Sequence, residues 1–204
     1  SGGAIVQNVK AGLSGMREAG VRLVNVTPTA DDLDTGGDVE WLPIRPNTDT
    51  AMILALCHTL LVENRHDQAF LDRYTVGFDK FRPYLTGEQD GQPKDAAWAE
   101  NITGIAAGRI LALAREMAAN RTMLSIGWSL QRAHHGEQPF WALVTLAAML
   151  GQIGLPGGGF ACGYGPQNMM GSGALRHPGA TMPQGRNPVT EFIPVARFSD
   201  MLLH

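Results

Sequence analysis

Apolar positions along the chain change their spacing several times, and each change marks an element. Residues 9–19 read as a helix closed by Gly20, and Val21-Arg-Leu-Val-Asn-Val26 alternates apolar and polar like a half-buried strand. Thr27-Pro28 ends that strand, because proline brings no donor to a ladder, and residues 31–37 form a polar loop. Residues 39–44 make a second short strand. Arg45-Pro-Asn-Thr-Asp49 then starts a helix, with Thr48 as N-cap and Asp49 placing negative charge in the first turn. That helix is apolar on almost every side over residues 51–56 and stops at Asn64-Arg65-His66, so it needs cover from several directions. Short helices follow over 67–74, 78–84 and 93–100. Thr103 caps the next one, in which Ala106, Ile110, Leu113, Ala114 and Met117 share a face. A strand over 122–126 runs into Gly127-Trp128, and a buried helix over 138–150 is stopped by Gly151.

Strands alternating with helices predict an α/β fold, a parallel sheet with helices on both faces, Rossmann-like in plan. Strands near 21–26 and 122–127 are expected in one sheet. Ligands of such sheets sit beyond the carboxyl ends of the strands, which singles out Thr27-Pro28, residues 45–49 and residues 127–132. Glycine then divides the chain. Eleven of its 25 glycines, with four prolines, fall between Gly151 and Gly185, a density that excludes a packed helix or central strand. Two parts are therefore expected: an α/β lobe over 1–150 and a Gly-rich loop and connecting segment over 151–204.

Charge removes some functions. Lys plus Arg number 16 and Asp plus Glu 19, a net charge of −3, without the clustered basic residues of a nucleic-acid footprint. The longest apolar runs fall short of the roughly 18 residues a membrane span needs. Cys57 and Cys162 are too few for a disulfide framework or a four-cysteine zinc site. No basic segment followed by an apolar core opens the chain, and since residue 1 is Ser1 rather than Met this says nothing about a leader.

Candidate chemistry is uneven in strength. Gly154-Leu-Pro-Gly-Gly-Gly159 reads as a plain turn or a phosphate loop, but lacks the Gly-Lys-Ser/Thr of a P-loop, and Gly171-Ser-Gly-Ala-Leu-Arg176 holds two of three dinucleotide-fingerprint glycines with no strand before it. His134-His135-Gly-Glu137 has no metal-site spacing and reads as polar loop. Cys57 is a small core residue; Cys162 has no activating neighbour in its pattern. Trp128 and Arg132 carry more. A flat ring and a planar cation at one strand end suit a polarised or anionic oxygen-rich ligand; the other reading is a Trp packed over the sheet edge beside a solvated Arg.

Longer runs carry a resemblance. Gly127-Trp-Ser-Leu-Gln-Arg132, Gly136-Glu-Gln138 and Val144-Thr-Leu-Ala-Ala-Met-Leu-Gly-Gln-Ile-Gly-Leu-Pro-Gly-Gly-Gly-Phe160 closely resemble the dimethyl sulfoxide reductase family of molybdopterin oxidoreductases. Ile44-Arg-Pro-Asn-Thr-Asp49 is similar to that family's Arg-Pro-Gly-Thr-Asp turn. Pro183-Gln-Gly-Arg-Asn-Pro188 and Ile193-Pro-Val-Ala-Arg197 resemble the S-oxide and N-oxide reductase branch, above all the biotin sulfoxide and trimethylamine N-oxide reductase types. The resemblance covers about residues 20–204.

The resemblance implies an enzyme: a molybdenum oxidoreductase that reduces biotin sulfoxide, methionine sulfoxide, dimethyl sulfoxide or trimethylamine N-oxide by oxygen-atom transfer. It implies a bis(molybdopterin guanine dinucleotide) molybdenum cofactor and an electron donor. Thr27, Pro28, Pro46, Asn47, Thr48 and Asp49 would lie at the nucleotide end, with Asp49 accepting from guanine. Gly127, Gln131 and Arg132 would face the pterin, Trp128 would wall the substrate pocket with Arg132 beside it, and Gln167 and Asn168 would pass the cofactor. Asn47 replaces the usual Gly, a substitution suited to positive φ. The serine that ligates molybdenum in this branch has no counterpart here, so no metal ligand is assigned and the sequence reads as an internal fragment, inactive alone and dependent on the rest of its parent chain. In isolation the helix after Asp49 would then lose cover and expose apolar surface. The biotin sulfoxide type implies a cytoplasmic protein, the trimethylamine N-oxide type a periplasmic one. Two other readings remain at this point: a formate dehydrogenase or nitrate reductase relative, and a non-catalytic α/β module that binds a nucleotide.

Overall fold

In the computed structural model, residues 9–30, 39–162, 183, 185, 186, 188 and 203 are described. Helix α1 (Val9–Glu18) ends at Gly20, whose φ of 79° is left-handed. Strand β1 (Val24–Thr27) pairs in parallel with β2 (Glu40–Pro43), Val24 opposite Glu40 and Thr27 opposite Pro43, so both strands end together beside Thr27. The helices α2 (Asp49–Val62), α3 (Gln68–Tyr74), α4 (Phe78–Thr86), α5 (Ala96–Thr103) and α6 (Ala107–Ala119) follow. Strand β3 (Met123–Ile126) leads through a 3-10 turn (Trp128–Arg132) into α7 (Gln138–Met149), and β4 (Gly159–Cys162) returns parallel to β3.

The fold is α/β, with small parallel sheets and flanking helices, but its strands differ from the expected plan. Among the described residues they form two separate two-stranded sheets, β1-β2 and β3-β4, rather than one sheet holding both β1 and β3. Five helices intervene between β2 and β3, and alternation along a sequence does not state which strands hydrogen-bond. The second correction is β4, a strand inside the stretch whose glycine content excluded one. Four residues suffice to pair, and Gly159 (φ 88°) takes a backbone that other residues rarely adopt while Ile153 presses close to it.

Helix α2 organises the core. Residues 51–57 are all buried, and Leu60 is completely so. Its cover comes from α5, α6 and α7 of the same chain, so residues 51–57 meet the expected need for cover from several directions without neighbouring parts. Leu42 and Ile44 from the first sheet and Leu124 and Ile126 from the second join the same cluster. Both sheets thus rest on one core. At the surface, Glu40 receives Arg109 and Arg22, and Glu116 receives both arginines as well, tying β2 to α6.

Helix ends differ from the sequence reading at two threonines. Thr48 does precede α2, but its hydroxyl donates to the Arg45 carbonyl (2.7 Å) instead of capping; its carbonyl accepts from Ala51 and Met52. Thr103 closes α5 rather than opening α6: its hydroxyl donates to Ala99 O at 2.7 Å and accepts from Ile105 N at 3.1 Å. The first turn of α6 is served by Glu100, whose carboxylate accepts from Ala107 N at 3.2 Å.

Leu60→Ala should lower unfolding free energy by about 2–5 kcal/mol, because a completely buried side chain leaves a cavity in the core. Val62→Ala, two residues further along α2 and 59% exposed, should stay within about 0.5 kcal/mol of wild type. Chemical denaturation of the two variants side by side checks where α2 is covered.

Candidate functional site

The turn before α2 is built from backbone demands. After Pro43 and Ile44, Arg45 turns its guanidinium onto the carbonyls of Asn101 (2.7 Å) and Ile102 (3.1 Å), while its amide donates to Thr103 O at 2.9 Å. A cation on the last carbonyls of α5 satisfies acceptors that the helix leaves open. With Arg45 fixed there, the chain reverses at Asn47, whose φ of 63° is left-handed, as the residue type anticipates. Asp49 follows as the first residue of α2.

The second wall is the segment after β3. Gly127 is extended (φ −80°, ψ 146°) and feeds the 3-10 turn. The chain then folds back so tightly that a Cβ on Gly136 would lie 2.4 Å from the Gln131 carbonyl oxygen. Gly136 is buried, and only a residue without a side chain permits that approach. His135 next to it adopts φ 56°.

These two walls meet. A cleft of about 230 Å³ is lined by Asn47, Asp49 and Thr50 on one side and by Leu130, Ala133, His134, His135, Gly136, Gln138 and Pro139 on the other. Two segments some 85 residues apart in sequence are therefore parts of one site. Of the sequence-predicted residues, Asn47 and Asp49 line the cleft. Pro46 and Thr48 sit within the same turn, and Gly127, Trp128, Gln131 and Arg132 lie on the opposing segment without lining it. Trp128 is 50% exposed and Arg132 is exposed, which leaves both readings of the pair open.

Asp49 is electrostatically distinctive. Burial pushes its carboxyl above the ordinary value, opposed only by its own backbone amide, and among the described residues no cation pairs with it. A half-buried carboxylate of this kind is an acceptor awaiting donors. Thr27 and Pro28 lie instead at the carboxyl ends of β1 and β2. Thr27 makes a local turn with Thr29, and its carbonyl accepts from the indole of Trp41 at 2.9 Å; neither residue lines the cleft. Gln167 and Asn168 fall outside the described residues.

His134 and His135 read as polar loop from their spacing, and their place in the cleft has no local signal. Their ring centroids are 3.9 Å apart, and His135 Nδ1 lies 3.6 Å from Glu137 Oε1. Among the described residues no group of three or more His, Cys, Asp or Glu is arranged to hold a metal ion, and no helix is long and apolar enough to cross a membrane.

The molybdopterin oxidoreductase family matches residues 6–198. The sequence is 48% identical to a biotin sulfoxide reductase of Cereibacter sphaeroides over all of this chain and 27% of that protein. It is 50% identical to a dimethyl sulfoxide/trimethylamine N-oxide reductase of the same organism, over 76% of this chain and 19% of that one. A trimethylamine-N-oxide reductase 1 of Escherichia coli strain K12 is 50% identical over 81% of this chain and 21% of its own length. The chain thus spans about a fifth to a quarter of the curated relatives it matches. In fold it is similar to acetylene hydratase from Pelobacter acetylenicus, with a TM-score of 0.56 at 24% identity over 67% of this chain and 18% of that one.

Gly136→Ala should force the 128–136 turn away from Gln131 and cost about 1–3 kcal/mol. Gly127→Ala, where the nearest atom is Ser129 Oγ at 3.8 Å, should be nearly silent. Denaturation midpoints and protease susceptibility at the turn distinguish the two variants.

Proposed function

The chain belongs to the molybdopterin oxidoreductase family, and from that premise we propose that it is the part of a molybdenum S-oxide or N-oxide reductase that holds one guanine dinucleotide of a bis(molybdopterin guanine dinucleotide) cofactor. The observation that carries this reading is the Asp49 carboxylate, half-buried, without a cation among the described residues and lining a cleft at the start of α2. Guanine presents two adjacent N–H donors on its Watson–Crick edge, and a carboxylate can accept both. The donor set fits the group: a carboxylate with acceptor capacity for the base and, opposite, a turn that Gly136 closes against Gln131. Similarity to S-oxide and N-oxide reductases at about 50% identity supports that branch over formate dehydrogenases, nitrate reductases or a free-standing nucleotide-binding module.

When bound, the cofactor supplies a two-electron centre that removes oxygen from the substrate oxide. This chain's residues do the positioning. Asn47 reverses the backbone so that Asp49 meets the base, and Pro46 and Thr48 hold that reversal against Arg45. Thr27 and Pro28 border the nucleotide end from the tips of the first sheet. Gly127 and Gln131 approach the pterin, with Gln167 and Asn168 as further contacts. Arg132 donates to the oxide oxygen and Trp128 gives the substrate an apolar wall.

Asp49→Asn in the full-length protein tests this directly. Replacing one acceptor oxygen by a donor should lower guanine and molybdenum content roughly tenfold to a hundredfold, the loss of hydrogen bonds to a charged group. Full loading would leave Asp49 as a helix-start residue only. The pH dependence has a definite sign. Because burial raises the Asp49 pKa above 3.8, its ionisation weakens the empty fold as pH rises through the raised value. The carboxylate is nonetheless the form that accepts guanine. Nucleotide retention should therefore be full above that value and fall as pH drops through it, and the Asn variant should lack this acid limb.

A further inference from the structure

Within the reading of this cleft as a guanine dinucleotide site, the geometry points to His134 and His135 as its contact for the diphosphate. A dinucleotide brings phosphate charges as well as a base, and Asp49 can serve only the base. Both carboxylates near the cleft, Asp49 from α2 and Glu137 at the head of α7, repel phosphate. Among the described lining residues, only His134 and His135 have side chains able to carry positive charge. The nearby arginine on the α2 side, Arg45, is committed to the carbonyls of Asn101 and Ile102, and Arg132 does not line the cleft.

The two imidazoles are placed for such a role. Gly136, pressed against Gln131, fixes the turn that carries them across from Asp49. Both rings are exposed, with 66% of the His135 side chain open. Glu137 lies by Nδ1 of His135, and among the described residues Nε2 has no hydrogen-bond partner; both nitrogens donate only when the ring is protonated. Ring nitrogens and charge together suit phosphate oxygens, which accept charge-assisted hydrogen bonds. The base is thus read from the helix side and the diphosphate from the turn side.

The test uses the full-length protein, with guanine nucleotide per chain as the readout, so adventitious inorganic phosphate does not register. His134→Gln combined with His135→Asn removes both side chains able to carry positive charge, and Asn accepts the left-handed backbone at 135. Guanine content should fall roughly tenfold, as expected for losing charge-assisted contacts. His134→Lys with His135→Asn restores a cation and should recover most of that loss, which a merely structural role would not. The thermal midpoint of each variant, set against wild type, reports whether the turn still folds. Wild-type guanine content in the uncharged variant overturns the proposal, as does loss that the Lys variant leaves unrecovered at an unchanged midpoint. Asp49→Asn separates the two ideas. If it loses guanine while the uncharged histidine variant keeps it, the site stands and the histidine role falls; if both keep it, the site itself falls.

Discussion

A helix without a polar face has to be walled in, and the rest of this chain is arranged around meeting that requirement for α2. Its residues 51–57 are buried on every side, and the walls are α5, α6 and α7 together with the inner faces of two small sheets. Each buried Leu, Ile or Met side chain there contributes on the order of 1.5–3 kcal/mol relative to exposure. The helix cannot shift along its axis without uncovering some of them. That immobility is what makes its N-terminus a dependable place for chemistry. Arg45 adds the last restraint by binding the end of α5, so the turn at Asn47 and the carboxylate of Asp49 are set by the core rather than by the loop.

The opposing wall is held the same way. α7 packs on α2, and the turn that precedes it is closed by the contact of Gly136 with Gln131. The cleft therefore lies between the start of the most buried helix and the approach to one of its walls. The two sheets have a more dependent character. Two-stranded sheets are marginal alone, and here each is held mainly by the apolar side chains it lends to the common core. Trp128, Trp141 and Val144 remain well exposed on the β3-to-α7 side, the side that bears the proposed pterin and substrate contacts.

Sequence pattern made some of this legible and hid the rest for identifiable reasons. The all-round apolar run after Asp49 announced a buried helix through local residue chemistry, whereas the turn at Asn47 was legible through the resemblance of residues 44–49 to a family turn, with Asn suited to its positive φ. Thr103 was misleading because a threonine hydroxyl serves equally well back-bonding at a helix end, as it does to Ala99, and capping a helix start. β4 was hidden by the glycines around it. The division of strands between two sheets and the meeting of Asp49 with His134 and His135 are pairings across long stretches of chain, which periodicity does not encode. The family was legible from long matched runs such as 144–160 and its branch from residues 183–188 and 193–197; no single spacing carried either.

A structure of the full-length protein carrying its cofactor is the most direct measurement of the central claim, that the cleft between α2 and the 128–136 turn receives a guanine dinucleotide. The account predicts a purine whose Watson–Crick edge lies within hydrogen-bond distance of both Asp49 carboxylate oxygens, with the 128–136 turn on the far side of the same nucleotide. A nucleotide bound elsewhere, with Asp49 turned to solvent or to its own helix, would contradict it.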